Sequence, residues 1–316
     1  MPSFKPGLLA CLMSAALGFS AAASATTVGF SQIGSESGWR TSETEAIKAE
    51  AAKRGIDLKF SDAQQKQENQ IKALRSFIAQ GVDAILLAPV VETGWDQVLK
   101  EAKEAKIPVV LVDRGVKVKD ESLYLTKVAS DFVEEGRLAA AWLAAATSGK
   151  CDLVELQGTV GSSAAIDRKT GFGEVVKLFP RMKVLRSQSG DFTRAGGKVV
   201  MESFLKAENG GKNLCAVYSH NDDMALGAIQ AIKEAGLKPG QDLKIISIDA
   251  VPDIFKAMAD GETNATIELS PYLGGPAFDA IDAHKAGKDV AKWIKVQGPL
   301  YLPATAAEEY KKRSAK

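Results

Sequence analysis

Short apolar runs of strand length alternate with segments of helical period along nearly the whole of this 316-residue chain. That rhythm leaves little choice of architecture, because parallel strands need a crossover helix between neighbours and those helices cover both sheet faces. In the first half the runs predict strands at 27–31, 58–61, 84–88, 109–112 and 123–128, with helices near 39–53, 67–79 and 94–105. The second half repeats the scheme, with strands at 153–156, 184–187, 216–219, 245–248 and 266–269 and a helix after each of the first four. The expectation is α/β: two similar doubly wound parallel-sheet lobes joined near 127–131.

The first 25 residues stand outside this pattern. One cation, Lys5, precedes an apolar run from Leu8 to Phe19 and a small-residue stretch ending Ala23-Ser24-Ala25, the layout of a cleaved secretory signal. Leu8-Leu9-Ala10-Cys11 superficially matches a lipoprotein box, but too few apolar residues precede the cysteine to make a signal core. No later run approaches the ~20 apolar residues that span a bilayer, so the mature chain is expected to be exported to the periplasm and not itself embedded in a membrane. Forty basic residues stand against 39 acidic ones, and loss of Lys5 with the leader balances them. This argues against nucleic acid or an anionic membrane surface as partner.

Cys151 and Cys215 remain as an even pair in a chain bound for an oxidising compartment, each opening an apolar strand (CDLVELQ and CAVYSHN). If those strands are parallel neighbours, their starts fall within the roughly 4.4–6.8 Å Cα separation of a disulfide. Two buried free thiols are the alternative.

In an open parallel sheet the carboxyl ends of the strands hold the ligand, and the polar residues gather there. PVVLVDR buries five residues and delivers Asp113-Arg114; CAVYSHNDD delivers Asn221 and Asp222; KIISIDA delivers Asp249; the loop after LVELQG leads to Asp167-Arg168. VGFSQIGSESGWR turns from a buried strand into Glu36, then Trp39-Arg40 at a helix start. An aromatic face beside charged hydrogen-bonding groups suits a sugar. A core role for Trp39 with solvated Glu36 and Arg40 is the plainer reading, as is a helix-capping role for Asp222 ahead of a helix beginning at Met224.

Catalytic and cofactor motifs find little material. Gly29 and Gly34 have phosphate-loop spacing, but Ser35 and Glu36 occupy the Lys and Ser/Thr positions, and GSESG has Glu36 where a nucleophile elbow needs serine. Gly158 and Gly161 lack the third glycine of a dinucleotide fingerprint. His220 and His284 are the two histidines, too few for a His-rich metal site; His220 is a candidate ligand or base, or a structural histidine. Paired carboxylates could hydrolyse a glycoside, but guanidinium groups facing the same cleft are expected to hold them ionised. No catalytic residue, metal or cofactor is assigned.

Over essentially the whole mature chain these residues resemble the periplasmic sugar-binding proteins of ABC importers, the ribose- and galactose-binding group that shares its fold with LacI-type repressors. The segments VGFSQIGSESGWR, QQKQENQIKA, VELQGTVG, RSQSGDFTR and HNDDMALGAIQAIKEAGLKPG resemble in particular the galactofuranose-binding members. The resemblance implies a type I periplasmic binding protein: two lobes with three crossovers, one of 26–128 plus 270–295 and the other of 129–268 plus 296–316. A monosaccharide would be clamped between them, with an ABC permease as partner of the monomeric closed form. Carried over by position, the cleft residues are Asp113, Arg114, Arg168, Asn221 and Asp249, with aromatic faces from Trp39 and Phe192, and Glu36 and Arg40 beside them. Where ribose binders carry Gln in the strand that crosses back, this chain reads Ile267-Glu268-Leu269, which argues against a plain ribose pocket. Ala250 stands where many relatives have Gly. Ribose, arabinose or galactopyranose as ligand, a sugar sensor without transport, and an enzyme on the same sugar are the alternatives.

Overall fold

The computed structural model describes residues 1–3 and 25–315, so the secretory-signal reading lies almost wholly outside the described residues. Among the described residues two six-stranded sheets form. The first contains β1 (Thr27–Gln32), β2 (Asp57–Asp62), β3 (Ala84–Leu87), β4 (Val109–Val112), β5 (Thr126–Ala129) and β11 (Trp293–Lys295), in the order β11-β5-β4-β3-β1-β2. The second contains β6 (Lys150–Gln157), β7 (Arg181–Ser189), β8 (Ala216–Ser219), β9 (Lys244–Asp249), β10 (Ala265–Glu268) and β12 (Leu300–Tyr301), in the order β12-β10-β9-β8-β6-β7. Each sheet repeats the same winding, with its second strand on the edge beside its first. All pairings are parallel except β12 against β10.

The apolar runs AILL of β3 and VVLV of β4 are buried at every residue, as strands covered on both faces must be. Helices α1 (Gly38–Lys53), α2 (Gln67–Gln80) and α3 (Asp96–Glu104) connect the strands of the first sheet, and α5 (Ser163–Val176), α6 (Arg194–Ala207), α7 (Asp222–Glu234) and α8 (Pro252–Ala259) those of the second. After β5 the chain passes into α4 (Phe132–Ala146), which packs against α5. Close approach of that pair needs glycine: a Cβ on Gly136 would lie 2.2 Å from the Arg168 carbonyl oxygen, and one on Gly171 1.9 Å from that of Val133. After β10 the chain returns to α9 (Gly274–Lys285), packed on α1. It crosses once more between β11 and β12 and ends in α10 (Pro303–Ser314), packed on α8.

The strand expected at 123–128 begins only at Thr126. Glu121–Leu123 forms a 3-10 turn instead, because Asp120 caps it by accepting the Ser122 N–H at 2.9 Å. Among the described residues no helix is long and apolar enough to cross a membrane. Cys151 and Cys215 are joined in a disulfide with Cα atoms 5.5 Å apart, across the parallel neighbours β6 and β8.

Candidate functional site

The carboxyl ends of the two sheets face one another. From the first sheet, the loop after β1 brings Glu36 and the first turn of α1 brings Trp39 and Arg40, with Ser37 as N-cap accepting the Arg40 N–H at 3.1 Å. The end of β4 brings Asp113 and Arg114. From the second sheet come Arg168 in α5, Phe192 in the turn before α6, Asn221 capping α7, and Asp249 closing β9. All nine residues singled out in the sequence, together with Ser37, Ala164 and Leu269, line one small cavity.

Three of these residues sit on left-handed or near-left-handed backbone: Asp113 at φ 61°, Phe192 at φ 62° and Asp249 at φ 125°. Such conformations are costly for residues with a Cβ and gather at ligand sites. Ala250, at φ 62°, extends the strain by one residue, at the position where glycine would be unstrained.

In the first lobe Arg40 is the organiser. Its Nε donates to Glu36 Oε1 at 3.2 Å, its Nη2 to Asp113 Oδ2 at 2.6 Å and its Nη1 to Glu43 Oε2. Its guanidinium lies 4.8 Å from the centre of the Trp39 ring. Glu43 was not foreseen, although its position three residues beyond Arg40 on a helix is a pairing signal. Gln32 Nε2 donates to it at 3.0 Å, and burial pushes its carboxyl up to about 7 against the pull of Arg40. Arg114 donates from Nη1 to the Val90 carbonyl at 3.0 Å; burial, aided by the neighbouring Arg40 charge, pushes its guanidinium down to about 10. Trp39 is only 3% exposed, and its Nε1 donates to the Leu269 carbonyl at 2.6 Å. It lines the cavity while also being core.

In the second lobe Arg168 donates from Nε to Glu135 Oε2 at 2.9 Å and from Nη1 to the His220 carbonyl at 2.7 Å. Phe192 is held by its carbonyl, which accepts from Asn221 Nδ2 at 3.0 Å. Its ring centre lies 5.1 Å from the Arg114 guanidinium and 6.0 Å from that of Arg168. Burial pushes the Asp249 carboxyl well above the ordinary range, against the opposing effect of Arg168, whose Nη2 is 3.9 Å away. The expectation that cleft guanidinium groups hold every cleft carboxylate ionised therefore does not extend to Asp249, where desolvation is the larger effect.

Asn221, not Asp222, caps the following helix: its Oδ1 accepts the Met224 N–H at 3.0 Å, and the helix begins at Asp222. Asp222 is a buried tie, accepting from Ser247 Oγ at 2.5 Å, Thr266 Oγ1 at 2.8 Å and the Val251 N–H at 2.8 Å. His220 does not line the cavity. Its Nδ1 accepts from the Gly158 N–H at 3.4 Å and its Nε2 faces Glu155 Oε1 at 3.0 Å, the pattern of a neutral structural imidazole, and burial holds its pKa down. Among the described residues no cluster of three or more His, Cys, Asp or Glu could hold a metal ion.

Among the described residues, four buried polar atoms of cavity-lining side chains have no hydrogen-bond partner: Glu36 Oε2 and Asp113 Oδ1, which accept, and Arg114 Nε and Arg168 Nη2, which donate. Buried polar atoms are almost always paired, so this set describes what an occupant must offer. The lobes already touch around it. The Gly38 N–H donates to Asp223 Oδ2 at 2.8 Å, the Gly115 N–H to Ser163 Oγ at 2.9 Å and the Glu92 N–H to the Gly161 carbonyl at 2.9 Å.

A family model described as the periplasmic binding protein domain matches residues 28–293. The chain belongs to this family. As a periplasmic binding protein it is 62% identical to the galactofuranose-binding protein YtfQ of Escherichia coli strain K12, over 98% of each chain. Among solved structures, it superposes on the binding protein of the arabinose ABC transporter from Shewanella sp. ANA-3, bound to alpha and beta-L-arabinofuranose, with a TM-score of 0.90 and 70% identity over 92% of this chain and 96% of that one. A Mycobacterium smegmatis protein in complex with beta-D-fucofuranose matches with a TM-score of 0.88 and 47% identity, covering 92% and 96%. These relatives place the two-lobed fold among sugar-binding proteins rather than within an enzyme class.

Proposed function

We propose that this protein captures a neutral furanose sugar, galactofuranose foremost, between its lobes in the periplasm and delivers it to the membrane subunits of an ABC importer. The observation that carries the reading is the convergence of nine residues from two lobes on one small cavity with two unpaired acceptors and two unpaired donors. A charged ligand would upset the near balance of buried carboxylates and guanidinium groups; a polyol supplies O–H donors and oxygen acceptors in equal measure. Carboxylate oxygens of Glu36 and Asp113 accept from ring hydroxyls, Arg114 and Arg168 donate to ring or hydroxyl oxygens, and the Phe192 and Trp39 rings cover the apolar faces.

The three sugars named for the relatives support the choice of ring. Galactofuranose, arabinofuranose and fucofuranose share a five-membered ring and differ in the exocyclic arm. Leu269 and Ala164 give the cavity apolar wall against which arms of different length can lie.

Isothermal titration with D-galactose, L-arabinose and D-ribose at mutarotation equilibrium, followed by NMR of the bound 13C-labelled sugar, tests the reading. The expected result is binding of galactose and arabinose in furanose form, recovery of the sugar intact, and ribose weaker by at least tenfold. A bound pyranose, or chemical turnover of the sugar, would overturn it. Arg114→Ala is expected to weaken binding by more than about 1 kcal/mol, since a hydrogen bond to a charged group is worth about 1.5–3 kcal/mol.

A further inference from the structure

We propose that Arg313, on the C-terminal helix α10, is a positioning residue for Asp249, so that the tail of the chain is part of the binding machinery. The inference rests on the reading that the cavity holds a sugar. Its starting point is the strained corner at the end of β9, where Asp249 and Ala250 both have positive φ. A corner of this kind persists only when its surroundings over-determine it. The second lobe itself supplies part of the restraint: the Ala250 N–H donates to Thr266 Oγ1 in β10 at 3.3 Å and the Val251 N–H to Asp222 Oδ2 at the start of α7 at 2.8 Å. The Ala250 carbonyl, on the other side of the corner, is taken by Arg313 Nη1 at 3.3 Å.

The same guanidinium reaches the strand beside Asp249. Its Nη2 donates to Glu268 Oε2 at 3.0 Å and to the Tyr301 hydroxyl at 2.9 Å, and the Tyr301 hydroxyl donates to Glu268 Oε2 at 2.9 Å. Glu268 is the register partner of Asp249 across β9 and β10 and precedes Leu269, whose carbonyl holds the Trp39 indole. Arg313 Nε is fixed by Glu309 Oε2 at 2.9 Å, and the guanidinium lies 5.0 Å and 5.2 Å from the centres of the Phe255 and Tyr301 rings. All three guanidinium nitrogens are thus engaged. The arrangement needs a rigid fork, which lysine lacks.

A helix that merely staples the lobe would change thermal stability and leave affinity alone. The test uses the full chain with Arg313→Gln and Arg313→Lys, each alone and combined with Ala250→Gly, titrated with L-arabinose and followed by hydrogen exchange at the Ala250 and Val251 amides. Either Arg313 variant is expected to bind at least tenfold more weakly than wild type and to exchange those amides faster. Ala250→Gly removes the strain at position 250, so in the double variant the loss is expected to shrink at least threefold. Affinity within twofold of wild type in both single variants, or a loss undiminished by Ala250→Gly, overturns the proposal. Should one substitution prevent folding, the other carries the comparison. If wild type binds neither L-arabinose nor D-galactose, the sugar reading fails by itself, and unchanged amide exchange in the Arg313 variants then overturns the positioning role separately.

Discussion

Phe192 reaches the cavity because the residue it packs on has no side chain, and Gly158→Ala tests that dependence. A Cβ at Gly158 would stand 1.9 Å from Phe192 Cζ and 2.2 and 2.3 Å from the two Cε atoms. Carbon atoms in contact prefer about 3.5–4.0 Å, so the ring must retreat by roughly 1.5–2 Å. It has little room: it is 4% exposed, two guanidinium groups approach it, and its backbone carbonyl is tied to Asn221. Overpacking of this kind costs about 1–3 kcal/mol, which thermal denaturation of the sugar-free protein would read as a fall of several degrees. Binding suffers separately, since a ring that moves into the cavity excludes the sugar and one that moves away uncovers its apolar face. The expected loss is about 1 kcal/mol or more, fivefold or greater in Kd by titration calorimetry with L-arabinose. Gly173→Ala is the matched control: beyond its own helix no described atom lies within 4 Å of the added methyl, and its φ is not positive. Affinity within twofold of wild type in Gly158→Ala would refute the placement of Phe192 against the ligand.

Asp223→Ala removes the carboxylate that meets the Gly38 N–H at the start of α1, a contact between the lobes, and is expected to weaken sugar binding by about 1 kcal/mol, roughly fivefold; an unchanged Kd would mean that contact plays no part in closure. Glu43 and Asp222 are both pushed up to about 7 by burial, above their ordinary carboxylate values, so each contributes stability at low pH that is lost as the pH rises through 7. His220, held down by burial, acts in the opposite sense below about pH 6.5; urea unfolding from pH 6.5 to 8 should therefore show stability falling by about 1 kcal/mol per carboxyl, with a smaller slope in Glu43→Gln. A flat profile would contradict this. The disulfide closes a loop of sequence separation 64, so Cys151→Ala with Cys215→Ala is expected to cost about 4 kcal/mol in the chain-entropy model, measured as a lower urea midpoint.

The sequence is legible where a local pattern and a topological rule point the same way. Asp113 follows a wholly apolar run, Asn221 and Asp249 follow largely apolar ones, and a parallel sheet must deliver such residues at its carboxyl edge. Partners that exist only through packing are silent in the sequence. Glu135 reads as one more charge on a helix, yet it meets Arg168 because glycines let α4 and α5 approach. Arg313 lies in a polar terminal stretch that reads as a tail. Asn221 and Asp222 are both good capping residues, and nothing in their order says which will cap; Ser247 and Thr266 decide it by claiming Asp222. The arginines could be counted from the sequence, but the burial that raises Asp249 could not.

The same burial explains why the cavity should discriminate among sugars. Each unpaired atom among Glu36 Oε2, Asp113 Oδ1, Arg114 Nε and Arg168 Nη2 costs about 1–3 kcal/mol while desolvated and unsatisfied. The closed arrangement without sugar carries all four penalties, offset by direct contacts between the lobes such as those at Gly38, Gly115 and Glu92. A sugar that satisfies atoms on both lobes favours closure by what it removes from that sum, since ligand shifts the equilibrium only by its differential affinity for the two states. An epimer that places one hydroxyl wrongly restores one penalty in the closed form and none in the open form, where water pairs the same atom. Discrimination of about fivefold or more per misplaced hydroxyl then arises from the closing step itself. Because Asp113, Phe192 and Asp249 are set by the backbone, little of that difference can be recovered by side-chain adjustment.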